Sequence, residues 1–221
     1  MNYLIHQLLN EDQVKTIRDM VLRSPSDWED GKKTAGLHAA KGKNNLQLDR
    51  RSKAGEESAD YVREMLTSDP LIKSFSLPQQ IHGVMFSRTG IGQGYGIHID
   101  NPYMSTGRSD MSFTLFLNEP DNYQGGELCI ESFQNNQEIK LPAGNIVIYP
   151  STTLHSVQQV TKGERLVCVG WIQSYVSSNE DREILFGLDA GAKGLLAKNG
   201  RSPELDLIFQ AYSNILRRLG N

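Results

Sequence analysis

Tyr95-Gly-Ile-His-Ile-Asp100 is the second of eight short runs with strand character, and the succession of these runs decides the fold. The others span residues 80–88, 111–117, 127–132, 137–141, 145–149, 154–160 and 165–174. Turn signals separate them: Asn118-Glu-Pro-Asp, Gly125-Gly126, Pro142-Ala-Gly144 and Thr161-Lys-Gly163. Short strands at this spacing predict an all-β sandwich or jelly roll. A jelly roll hides most of its strand edges and leaves a mouth in which a ligand can sit.

Helical signals flank this block. Asn10 and Gln13 have capping-box spacing, and Val14, Ile17, Met20 and Val21 then recur at helical intervals. Residues 24 to 52, rich in Gly, Lys, Asp and Asn, read as loop with room for one strand. A second helix is predicted over 53–67, ending before Asp69-Pro70 because the residue before proline resists helical geometry. Helical periodicity returns after residue 178, with one helix over about 179–188. A last helix starts at Ser202-Pro203, an N-cap followed by proline at the first helical position. Leu205, Ile208, Tyr212, Ile215, Leu216 and Leu219 line one face of it, a packing stripe for the barrel or a second subunit. The division expected is an N-terminal region of helices and loop (1–78), a β core (79–177) and a C-terminal helical extension (178–221).

The 221 residues suit one domain with a substantial core, and the formal net charge is -3. Nothing in that balance points to nucleic acid or to an acidic membrane surface. No apolar run reaches membrane-spanning length. Met1 to Asn10 lacks the basic start, apolar centre and cleavage site of a signal peptide, so a cytoplasmic location is expected. Cys129 and Cys168 lie in apolar runs, where free cysteine acts as a small hydrophobe.

Within Ile97-His98-Ile99-Asp100, strand alternation sends His98 and Asp100 to one face and the isoleucines to the other. A histidine and a carboxylate so placed can share a metal, although the dipeptide spacing alone arises often by chance. His155, in Thr153-Leu-His-Ser-Val157, supplies a third ligand from a distant strand. Two histidines and one carboxylate form the facial triad of non-haem iron(II) oxygenases, which leaves positions open for cosubstrate and oxygen. Ten residues on, Arg165 opens a strand whose alternation puts Arg165, Val167, Val169, Trp171 and Gln173 on one face. A charge on an otherwise apolar face needs a partner, and the guanidinium fork suits a carboxylate in two-point contact.

The order His-x-Asp, a long gap, His, then a basic residue about ten further on resembles the prolyl 4-hydroxylase branch of the 2-oxoglutarate dioxygenases. The PKHD-type hydroxylases are a closer match over nearly the whole chain. The resemblance rests on Trp28-Glu-Asp-Gly31 with Thr34-Ala-Gly36, Lys43-Asn-Asn-Leu-Gln-Leu48, and Asp121 to Leu128. It continues through His155-Ser-Val157, Val160-Thr161, Gly163-Glu-Arg165, Trp171-Ile-Gln-Ser174, Phe186 to Asp189 and the Tyr212-Ser-Asn-Ile-Leu-Arg217 helix. It implies a double-stranded β-helix and a reaction using iron(II), 2-oxoglutarate and O2, with L-ascorbate keeping the iron reduced. It also implies His98, Asp100 and His155 as iron ligands and Arg165 as the anchor for 2-oxoglutarate. In related halogenases a small residue replaces the carboxylate, so Asp100 points to hydroxylation. One departure stands out: family members carry tyrosine after the arginine matching Arg88, and here Thr89 occupies that place. Tyr95 is a candidate to substitute for it.

Two rival readings use the same residues. A cupin-like isomerase or hydrolase with zinc or manganese would have no use for Arg165, and a non-catalytic iron or 2-oxoglutarate sensor would bind without turnover. The run Gly90-x-Gly92-x-Gly94-x-Gly96 lacks nucleotide-loop register and leads into a strand, so it reads as a turn at the site's mouth. Residues 30–45 read equally as a polar surface loop or a lid; His38 within them could approach the site, but His6, His38 and His82 are each expected to be structural or exposed. The substrate expected is a peptide carrying proline or lysine, or a small molecule. A homodimer through the C-terminal helices is a further expectation.

Overall fold

The computed structural model describes residues 3–34, 42–131 and 136–220. With strands numbered along the chain, two sheets form the body. The major sheet runs β1 (Leu4–Gln7), β13 (Asn145–Pro150), β9 (Met111–Phe116), β16 (Arg165–Ser174), β5 (Pro78–Thr89), β4 (Leu46–Leu48) and β2 (Trp28–Asp30). The minor sheet runs β12 (Gln137–Ile139), β11 (Leu128–Ile130), β14 (His155–Val157), β6 (Gly94–His98) and β3 (Lys43–Asn44). Two short pairs, β7 (Tyr103–Met104) with β8 (Gly107–Arg108) and β10 (Tyr123–Gln124) with β15 (Lys162–Gly163), complete the set. The helices α1 (Glu11–Leu22), α2 (Lys53–Ser68), α3 (Pro70–Ser76), α4 (Asn179–Asn199) and α5 (Pro203–Leu219) flank the sheets. The architecture is a jelly roll with flanking helices, as the strand spacing predicts.

Alternation along β13 shows how the layers are built. Ile146 and Ile148 join the core that the major sheet shares with Val14, Ile17 and Val21 of α1 and Val62 and Leu66 of α2. Val147 and Tyr149 point the other way, into a second core with Phe116 and Val167 of the major sheet and Leu128, Ile130 and Ile139 of the minor one. Each fully buried aliphatic side chain of this kind contributes about 2 kcal/mol. α1 starts where the capping box predicts: Asn10 accepts from the Gln13 N–H, and Gln13 Oε1 accepts from the Asn10 N–H, both at 2.9 Å. The stripe on α5 packs within its own chain, Tyr212, Ile215, Leu216 and Leu219 lying on Leu77, Val176 and Leu185. Both cysteines are free and buried. No helix among the described residues is long and apolar enough to cross a membrane.

Several expectations need correction. The region 24–52 holds three short strands, β2, β3 and β4, each two or three residues long and so too short to show a period. α3 was not anticipated; Asp69 caps it by accepting from the Ile72 N–H at 2.9 Å, and Pro70 occupies its first position. The helix expected over 179–188 continues to Asn199, with Gly187, Gly191 and Gly194 inside it; glycine lowers helix propensity and hides such an extension. The strand predicted over 95–100 ends at His98, leaving Asp100 outside the ladder. Of the lid region 30–45, residues 35–41, including His38, lie outside the described residues.

Candidate functional site

The two sheets enclose a cavity of about 460 Å³ that both walls line. This lies within the usual range for small-molecule sites. Antiparallel register brings the two distant histidines together. His155 on β14 is paired directly with His98 on β6, and their ring centroids are 4.2 Å apart. Asp100, just past the end of β6, turns back so that Oδ2 lies 3.9 Å from His155 Nε2. One ligand atom from each of His98, Asp100 and His155 falls within 4.8 Å of the other two. Such a spread suits three ligands converging on one ion.

Backbone contacts aim these rings. His98 Nδ1 lies 2.8 Å from the Gly96 carbonyl and His155 Nδ1 lies 3.0 Å from the Thr153 carbonyl. A neutral ring whose Nδ1 donates to a carbonyl carries its lone pair on Nε2, where a metal can take it. Burial, and then the neighbouring His155, lower the pKa of His98 to about 4. Its imidazole is therefore neutral, the form that ligates. Tyr95 stacks on His98 with centroids 3.7 Å apart, and Gly94 permits this close strand pairing, since a Cβ there would meet the Val157 carbonyl at 2.9 Å.

Arg165 enters the same cavity from the first position of β16 and is 3 % exposed. Its Nε is buried with no hydrogen-bond partner among the described residues. The guanidinium carbon lies 5.6 Å from the Phe116 ring. Burial works against its charge, yet a guanidinium stays protonated. Glu127 acts on Arg165 through space and is itself ion-paired with Lys140 at 3.5 Å. Glu164, the neighbour that might have drawn Arg165 to the surface, instead takes both prongs of Arg88 at 2.9 and 2.8 Å. The alternation read from sequence holds: Arg165, Val167, Val169 and Trp171 all line the cavity. Gln173 is partly buried, bonded to the Arg108 N–H and to Gln79.

Other residues of the site gave little sequence signal. Thr89 is buried and pairs across the ladder with Arg165. Tyr95 stacks on His98 and lines the cavity, and two further tyrosines, Tyr123 and Tyr149, both buried, act on Arg165. Tyr149 was legible in principle, because it shares the inward face of β13 with Val147. Tyr123 opens the two-residue strand β10, too short for a period to mark it. His82 is buried and bonds Thr106 Oγ1 at 2.9 Å and the Arg108 carbonyl at 3.0 Å. It thereby holds the β7–β8 hairpin, whose Met104, Ser105 and Thr106 line the cavity.

Lys43 on β3 is a buried cation in the cavity wall, its Nζ 5.3 Å from the centre of the Tyr95 ring. Burial lowers its pKa from 10.5 to about 8. The unfolded chain holds that proton more tightly than the folded one. Stability conferred at this position therefore rises with pH between about 8 and 10.5. In the metal-free protein, wild type is expected to gain up to about 3 kcal/mol relative to Lys43→Met across that window. Urea midpoints measured for both proteins at several pH values read this difference.

A model of the 2OG-Fe(II) oxygenase superfamily matches residues 84–173, the span that contains His98, Asp100, His155 and Arg165. Fold, family and the converging His-Asp-His set define an iron(II)- and 2-oxoglutarate-dependent dioxygenase. The likeness to particular proteins is closer. The chain is 66% identical over 221 residues to a PKHD-type hydroxylase of Prochlorococcus marinus (strain MIT 9313), covering all of both chains. It is 63% identical over the same length to one from strain MIT 9211. The chain belongs to the PKHD-type hydroxylases. Two solved structures share its fold at low identity. A Pseudomonas putida prolyl-4-hydroxylase matches with TM-score 0.57 and 18% identity over 78% of this chain and 92% of that one. A Trichoplax adhaerens prolyl hydroxylase, in complex with a hypoxia inducible factor peptide fragment, matches with TM-score 0.61 and 14% identity over 83% and 86%.

Proposed function

We propose that this hydroxylase acts on a proline- or lysine-like residue of a peptide, or on a small molecule of comparable size, and releases succinate and carbon dioxide. His98, Asp100 and His155 would hold the iron, and Arg165 would hold the far carboxylate of 2-oxoglutarate. The observation that carries this reading is Arg165 itself, a buried cation whose Nε has no hydrogen-bond partner among the described residues, in the cavity that the triad also faces. Burying a charge with part of its fork unsatisfied is costly, and a dicarboxylate ligand relieves that cost. A metal isomerase using the triad alone would leave that cation without purpose.

When bound, iron and 2-oxoglutarate supply the oxidative decarboxylation that delivers hydroxyl to a C–H bond. The chain's own residues do the rest. The two histidines would offer their Nε2 lone pairs, and Asp100 would offset the charge of the ion. Leu128, Val157, Val167 and Val169 make the walls apolar and limit water around the reacting centre. Residues 79–177 are the part we assign to this chemistry, with 1–78 and 178–221 as flanking parts. Ascorbate is the reductant expected to keep the iron competent between turnovers.

The test is product analysis. Iron-loaded protein is given 2-oxoglutarate, ascorbate, air, and either terminally blocked proline and lysine peptides or the free amino acids. One class should gain a single oxygen atom with one succinate formed per hydroxylation. Succinate formed at an unchanged rate across the panel, with no member gaining oxygen, would rule out a proline- or lysine-like substrate.

A further inference from the structure

Strand alternation cannot orient Asp100, because β6 stops at His98. What holds its carboxylate is a side chain from the opposite sheet. Ser112 on β9 places Oγ 2.5 Å from Asp100 Oδ2, the only hydrogen bond to this carboxylate among the described residues. Ser151, just past β13, places its Oγ 2.8 Å from Ser112 Oγ. Both serines are 3 % exposed, so neither hydroxyl has bulk water as an alternative partner. The direction of this chain follows from proton counting. An ionised carboxylate only accepts, and a hydroxyl has one proton to donate. Ser112 therefore donates to Asp100 and accepts from Ser151. Ser112 is fixed in turn by its strand, which pairs it with Tyr149 on one side and Trp171 on the other. The Ser151 N–H is tied to the Asp110 carbonyl at 3.1 Å.

We infer that Ser112 is a positioning residue for the metal site: relayed from Ser151, it bridges the two sheets and sets the rotamer of the Asp100 carboxylate. The inference rests on the reading of Asp100 as an iron ligand. Partners that orient a ligand in this way commonly account for about 10–100-fold in metal affinity. The hydrogen bond also ties the segment after β6 to the major sheet, so its loss would loosen the one ligand that no ladder restrains.

The experiment is an anaerobic iron(II) titration of full-length wild type, Ser112→Ala, Ser112→Thr, Ser151→Ala and Asp100→Ala. The cobalt(II) ligand-field spectrum serves as a second readout of coordination. Ser112→Ala is expected to raise the iron Kd by about 10–100-fold and to change the cobalt spectrum. Ser112→Thr keeps the hydroxyl and should restore both. Ser151→Ala should weaken iron by a few-fold. Wild-type affinity and an unchanged spectrum in Ser112→Ala, with binding lost in Asp100→Ala, would overturn the inference alone. Wild-type affinity in Asp100→Ala would instead overturn the reading of Asp100 as a ligand. If Ser112→Ala fails to fold, Ser151→Ala decides: a few-fold loss supports the relay, and wild-type affinity refutes it.

Discussion

Arg165→Met should raise the Kd for 2-oxoglutarate by at least about thirtyfold, while the ligand-free protein melts no lower than wild type. The two halves of this expectation have one cause. Truncating one partner of a buried, hydrogen-bonded charge pair costs about 2–5 kcal/mol of binding. That penalty falls on the complex. In the free protein Arg165 is 3 % exposed and its Nε has no hydrogen-bond partner among the described residues, so burial works against the charge there. Methionine fills a similar volume without a charge to desolvate. Arg165→Lys should fall between, because a single ammonium cannot reproduce two-point contact. Calorimetric titration with 2-oxoglutarate and a thermal melt of the same samples read both halves. A lowered melting temperature with an unchanged Kd would make Arg165 a structural residue.

His155→Ala should weaken iron binding by more than about a hundredfold, since even an outer hydrogen-bonding partner of a ligand is worth about 10–100-fold. His155 is the most buried member of the triad, at 5 % exposure, and its cross-strand pairing with His98 sets the spacing of the two imidazoles. Succinate formation should fall with the iron. The variant should still fold, because the ladder around position 155 is made by backbone groups and the ring contacts it loses are those with His98 and Tyr149. Iron binding at wild-type affinity in folded His155→Ala would show that the ion sits elsewhere.

The parts of this architecture that were legible in sequence are those governed by local period. The ten residues of β16 alternate cleanly, and Arg165, Val167, Val169 and Trp171 do share the cavity wall. Asn10 and Ser202 cap helices as their side chains dictate. The triad was legible because its residue types are rare together. The route by which Asp100 reaches it was not: alternation pointed to the right neighbours, but the orienting force comes from Ser112, whose approach depends on how two sheets face each other. Lys43 was hidden for a similar reason. β3 has two residues, and only its pairing with β6 carries Lys43 to the cavity. Tyr123 and the β7–β8 hairpin belong to two-residue strands, too short to carry a period. The tyrosine missing after Arg88 directed attention to Tyr95, which does line the cavity, while the phenols of β10 and β13 that act on Arg165 were not singled out.

The account depends on one cavity holding iron and 2-oxoglutarate together, the first on His98, Asp100 and His155 and the second reaching Arg165. A 2-oxo acid chelating iron(II) produces a visible charge-transfer absorption that neither component shows alone. The most direct measurement is therefore an anaerobic titration of 2-oxoglutarate into the iron-loaded protein, followed by absorbance. The band should saturate at one equivalent in wild type, require far more ligand in Arg165→Met and be absent in His155→Ala. If iron binds to wild type and no band develops as 2-oxoglutarate is added, the two do not meet in this cavity and the assignment of the site is wrong.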